Sequence, residues 1–200
     1  MSQSPSASQS PSGRARRSDA ERSIEAILDA AVATLADRPD ASLGDIARTA
    51  GVSRQTVHAH FRTRDDLVGA VYDRATGEVV SALDEAELDA ASAVEALTRL
   101  LDASWQAFER YPFLIDESLP RPGAAEERSR HVPIADRLGR IIERGRRSGE
   151  FAAEAAVPWL VAATIGIGHA GGEEVAGGRM SADEARLAVR RSVLDVLGAG

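Results

Sequence analysis

The stretch GVSRQTVHAHF fills residues 51–61. A glycine and a serine lead into Arg54, Gln55, Thr56, His58 and His60, whose tips are cationic or hydrogen-bonding. Gly51 supplies a backbone free to take positive φ, the conformation in which many helices end. Ser53 is a natural N-cap for the helix that follows. Val52, Val57 and Phe61 are apolar and hold that helix against a core, so its polar face is offered outward. The stretch therefore reads as the tight turn and second helix of a helix-turn-helix. In such a motif the second helix enters the DNA major groove with its N-terminal residues toward base edges.

The flanks agree. Ser42-Leu43-Gly44-Asp45 is a capping-box pattern, in which serine and acid satisfy each other's free amides. It opens a short helix through Ala50, with Leu43, Ile46 and Ala47 inward. Earlier, Ser18-Asp19-Ala20-Glu21 repeats the pattern. Behind it Ile24, Ile27, Leu28, Ala31, Val32 and Leu35 fall on one helical face before Pro39. Later, Thr63-Arg64-Asp65-Asp66 caps a longer helix carrying Leu67, Ala70 and Val71.

The remainder also reads as helical. Val94, Leu97, Leu100, Leu101, Trp105 and Phe108 form a stripe that ends at Tyr111-Pro112. Residues 112–132 read as irregular, with four prolines across 112–133. Ile134, Leu138, Ile141 and Ile142 mark a helix stopping near Ser148-Gly149. Pro158 suits the first turn of a helix reaching about Ala176, and Gly177-Gly178 breaks it. Ser181-Ala182-Asp183-Glu184 caps a last helix through Leu197. No strand-like alternation and no internal repeat is present. The expected fold is all-α: an N-terminal three-helix, homeodomain-like helix-turn-helix module followed by a larger helical domain. The expected divisions are a disordered tail over 1–17, a DNA-binding domain over 18–64 and a helical domain over 65–200.

Composition narrows the function. The 200-residue chain has no cysteine, hence no disulfide or thiolate metal site, and all 24 of its basic residues are arginine. Its net charge is −7, but residues 14–64 hold 9 Arg against 7 acids while residues 65–200 hold 15 against 24. A mildly basic front on an acidic body fits a protein that presents one end to a polyanion. The uncharged run 155–172 falls short of the ~20 residues a membrane span needs. The opening MSQSPSASQSPS lacks the apolar core of a signal peptide. A cytoplasmic protein without a membrane partner is expected. The nucleophile-elbow, P-loop, dinucleotide and zinc-protease spacings are absent. The acid pairs Glu126-Glu127 and Glu173-Glu174 are adjacent and diverge on a helix. No enzyme, cofactor or metal is expected.

The chain resembles the TetR family of one-component transcriptional regulators. The resemblance rests on Ser42-Leu43-Gly44-Asp45-Ile46-Ala47, Ala50-Gly51-Val52-Ser53, Thr56-Val57, His60-Phe61 and Arg64-Asp65-Asp66-Leu67. It covers roughly residues 20–72, about a quarter of the chain. It implies a homodimer joined through the last two helices of each subunit, with a small-molecule effector held in the larger domain. Effector binding would shift the helix that starts at Thr63 and release a near-palindromic operator, most often ending repression. It implies Arg54 and Gln55 at the base-reading positions, where arginine suits guanine and glutamine suits adenine. It sets Ser42, Thr56 and Arg64 on phosphates, beside the helix-opening Ser53. His60 matches the family's histidine; His58 stands where the family usually has tyrosine, and can still donate to a phosphate.

Other candidates come from residue type alone. Arg14, Arg16 and Arg17 form either a minor-groove arm or a charged linker. Trp105, Phe108, Tyr111, Phe113 and Trp159, with His131 and His169 as polar groups, are either wall of an effector pocket or ordinary core. The competing function is a helical interaction module that keeps the helix-turn-helix as scaffold only.

Overall fold

The computed structural model describes residues 11–85, 91–115 and 124–199. Among them, regular structure is helical apart from one isolated bridge between Phe151 and Ala199. The chain divides into two compact units between Val68 and Gly69. The sequence reading set the boundary after Arg64.

The first unit holds α1 (Pro11–Asp37), α2 (Leu43–Thr49), α3 (Arg54–His60) and the opening of α4 (Arg64–Glu85). Its core takes Ile27, Leu28, Ala31 and Leu35 from α1, Ile46 and Ala47 from α2, Val57 from α3, then Phe61 and Leu67. Each large aliphatic or aromatic side chain buried this way stabilises the unit by ~1.5–3 kcal/mol. The buried Thr34 hydroxyl donates to Thr49 Oγ1 at 3.1 Å and ties α1 to α2.

The start of α1 corrects the sequence reading. Residues 11–17, expected in a disordered tail, are helical, and Ser18 does not open the helix. Proline is tolerated in a first turn, alanine and arginine are good helix formers, and each added residue joins an existing helix at little cost. Residues 1–10 of the expected tail lie outside the described residues.

The second unit holds the rest of α4, α5 (Ala93–Arg110), a 3-10 turn (Pro112–Ile115), α6 (Ala124–Ser148), α7 (Val157–Ala176) and α8 (Ala182–Leu197). Here too one expectation fails. The helix read as starting near Ile134 begins at Ala124, inside the stretch read as irregular, and carries Pro133 in its interior. Residues 116–123 lie outside the described residues. An interior proline costs about 3 kcal/mol. Leu138, Ile141 and Ile142, all buried on one face of α6, offset that cost. Arg137 of the next turn donates to the Pro133 carbonyl at 2.9 Å and pairs with Asp84 of α4.

The core of this unit joins Leu97, Leu100 and Trp105 of α5, Leu138, Ile141 and Ile142 of α6, Leu160 of α7, and Val189, Val193 and Leu197 of α8. Two glycines permit close approaches. A Cβ on Gly171 would run into Val189, and one on Gly145 would run into the Phe151 ring. The end of α8 is tied back where the Ala152 and Ala153 amides donate to the Gly198 and Leu197 carbonyls at 3.3 and 3.1 Å. Among the described residues no helix is long and apolar enough to cross a membrane.

Candidate nucleic-acid interface

The pair of short helices α2 and α3 is fixed locally by its caps and turn. Ser42 caps α2: its hydroxyl accepts from the Asp45 amide at 3.2 Å, and its own amide donates to the Asp45 carboxylate at 3.1 Å. The Ser42 hydroxyl and amide, and behind them Arg48, hold the Asp45 carboxyl down at about 2. At the far end Gly51 adopts φ 66°. The Val52 amide reaches the Ala47 carbonyl at 3.1 Å and the Gly51 amide reaches Arg48 at 3.3 Å. That crossed pair of bonds is a Schellman ending, and it turns the chain into α3. Ser53 then caps α3, accepting from the Thr56 amide at 3.0 Å and sharing a 2.8 Å hydrogen bond with the Thr56 hydroxyl.

Val57 is completely buried, and the rest of α3 follows from that anchor. Arg54, Gln55 and His58 are exposed, while Thr56 and His60 are half-buried. Three and four residues apart, Arg54, Gln55 and His58 share one face of the helix. The His60 ring lies against Phe61, 6.4 Å between centroids. The sequence reading set all five on the DNA-contacting helix.

Two residues behave in ways the sequence did not announce. Arg64, set on a phosphate by the resemblance, is half-buried: its Nε donates to the Ala41 carbonyl at 3.2 Å, and a second N–H donates to the Pro39 carbonyl. It braces the loop between α1 and α2. Backbone carbonyls are the same at every position, so no sequence signal could have named these acceptors. Gly44, read only as part of a helix opening, lies beneath Arg54. The three heavy atoms nearest to where its Cβ would stand all belong to the Arg54 side chain.

In the second unit the candidate effector residues fall into three places. Trp105, Phe108, His169 and His131 form a continuous run of edge-to-face rings from α5 through α7 to α6. Their successive centroids are 6.0, 6.1 and 5.2 Å apart. Trp105 is buried and donates its Nε1–H to Glu109 at 3.0 Å. Tyr111 and Phe113 form a separate buried pair, 6.4 Å between centroids. Trp159, expected by residue type as a possible pocket wall, is 66% exposed and belongs to neither set. Its place on α7 puts the ring on the surface of the chain, a face that an eighteen-residue apolar pattern does not reveal. Among the described residues no group of three or more His, Asp or Glu side chains could hold a metal.

The sequence pattern of the family described as bacterial regulatory proteins, tetR family, matches residues 27–71. The HTH-type transcriptional repressor LfrR of Mycolicibacterium smegmatis is 41% identical over 83 residues, 42% of this chain and 44% of LfrR. The matched segment thus spans less than half of that relative. The HTH-type transcriptional regulator NfxB of Pseudomonas aeruginosa is 30% identical over 130 residues, 64% of this chain and 68% of NfxB. The structure of LfrR from Mycobacterium smegmatis in complex with proflavine superposes with a TM-score of 0.66 at 27% identity, covering 88% of this chain and 96% of that one.

Proposed function

The chain belongs to the tetR family of bacterial regulatory proteins and is a DNA-binding transcriptional regulator; from that premise we propose that it is a repressor released from its operator by a small molecule. The observation that carries the reading is the exposed row Arg54, Gln55 and His58 on a helix whose opposite side is anchored by the fully buried Val57. Arginine and glutamine offer the bidentate pairings that recognise guanine and adenine. Ser42, Ser53 and Thr56 stand at helix starts, where hydroxyls and free amides suit phosphate oxygens.

The protein works as a homodimer through α7 and α8. The exposed apolar side chains Trp159 on α7 and Leu187 and Val196 on α8, at 66, 59 and 40% exposure, support that contact face. A two-fold dimer reads a near-palindrome, in the cytoplasm where such operators lie. The effector is a flat aromatic molecule that stacks on the ring run Trp105, Phe108, His169 and His131. LfrR binds proflavine, a flat aromatic cation. The acid excess of residues 65–200 favours the same charge.

Selection of bound DNA from a random pool at moderate salt tests the reading. Enrichment of a near-palindrome, and its release by proflavine, is the expected result. Folded, dimeric protein that enriches no sequence would overturn it.

A further inference from the structure

We propose that Gly44 is a positioning residue for base reading: its missing side chain leaves a berth on α2 in which the Arg54 guanidinium lies, and that berth sets the angle at which Arg54 meets a base edge. The inference rests on the reading that Arg54 contacts bases.

Gly44 sits in the first turn of α2, between the Ser42 cap and Asp45. Nothing in the backbone calls for glycine there; the positive φ of this element belongs to Gly51. Inside a helix, glycine is less favourable than alanine because it loses more chain freedom on folding. Space supplies the reason for it. An ideal Cβ at position 44 would stand 2.8 Å from Arg54 Nε and 3.0 Å from both Cζ and one terminal nitrogen. A single methyl group would therefore push the guanidinium off α2.

Direction matters for this side chain more than for a lysine. A guanidinium reads guanine through two parallel hydrogen bonds in one plane. Held against α2, that plane is partly set before DNA arrives, and less side-chain freedom is lost on binding. The α2 surface, which carries no base-reading side chain of its own in this scheme, thereby contributes to sequence preference through Arg54.

The test uses the full chain and the near-palindrome selected from a random pool. Gly44→Ala should fold normally, with an equal or higher Tm, because Arg54 is flexible enough to move and alanine favours the helix. Its affinity for the selected site should fall by about fivefold or more, with relaxed preference at the base pair lost in Arg54→Ala. Affinity for random DNA and its salt dependence should stay unchanged. In an Arg54→Ala background, Gly44→Ala should have no further effect. Unchanged affinity and preference in Gly44→Ala, with Arg54→Ala impaired, would overturn the positioning role and leave base reading intact. An equal loss in both backgrounds would also overturn it, and so would tighter binding by Gly44→Ala, which would make the berth a parking place. If Arg54→Ala itself keeps full sequence preference, the failure lies in the base-reading assignment instead.

Discussion

The Tyr111 hydroxyl donates to Glu78 Oε1 at 2.8 Å, joining the residue that ends α5 to the middle of α4. Arg74 and Arg110 both contact the same carboxylate, at 3.4 Å each, and the Arg110 guanidinium also lies 5.7 Å from the Tyr111 ring centroid. Tyr111 is almost wholly buried, so its ring fixes where that carboxylate is held. Tyr111→Phe keeps the ring and removes the bond. We expect a loss of about 1–2 kcal/mol in denaturant unfolding. An unchanged midpoint would mean that Arg74 and Arg110 satisfy Glu78 alone.

The same tyrosine gives an alkaline signature. Burial, then the hydrogen bond and the charge of Glu78, push its hydroxyl up to about 12 from an ordinary value of 10.0. The folded state therefore keeps its proton after the unfolded chain has lost it. The stabilisation is complete below pH 10.0 and is lost as pH rises through about 12. Wild type should weaken across that window beyond any general alkaline loss, and Tyr111→Phe should lack the extra component. Identical alkaline unfolding curves for the two would refute the assignment.

At the acid end the helix caps carry the sensitivity. Asp45 is held at about 2 against an ordinary 3.8, by Ser42 first and Arg48 second. Glu184 is held low by the Ser181 hydroxyl and amide. Such groups stabilise the fold above their unfolded values and lose that contribution as pH falls through the folded ones. Asp45→Asn should flatten the loss of stability of the first unit between pH 3.8 and about 2. Circular dichroism during acid titration of both proteins makes the comparison.

Arg64→Ala should act mainly on stability. It deletes the donors to the Pro39 and Ala41 carbonyls and should cost about 1–3 kcal/mol. Weaker hydrogen-exchange protection in α2 should accompany it. DNA affinity would then fall alike on every sequence. A variant of undiminished stability with a flatter salt slope would instead place Arg64 on a phosphate.

Gly51→Ala isolates a backbone effect. A Cβ there meets nothing within 4 Å, yet φ is +66°. The cost should be about 1–2 kcal/mol, from the left-handed conformation alone. Asparagine, which tolerates that region better, should cost less. Equal unfolding midpoints for all three residues would contradict this account of the turn.

These residues also mark what could be read in the sequence. Ser42, Ser53 and Ser181 each cap a helix a few residues away, and Gly51 ends one, so their effects are local and leave a local pattern. Pro133 argued for a break, but α6 runs through it because Leu138, Ile141 and Ile142 are buried by partners far along the chain. The acceptors of Arg64 lie more than twenty residues back and are backbone carbonyls, which no side-chain type marks. His131 and His169 meet only because α6 packs on α7, which no spacing within either helix specifies. The exposed face of α3, opposite Val57, was legible; the resting place of Arg54 on α2 was not, because a glycine announces an absence without saying what fills it.

The contact between Gly145 and Phe151 has a historical consequence. The ring occupies the volume that a side chain at 145 would need. Phe151 is also buried and begins the segment that ties back to the end of α8. Neither position can drift alone: enlarging 145 evicts the ring, and shrinking 151 opens a hole over a bare helix. Among descendants of this sequence the two positions should change as a pair or stay as they are.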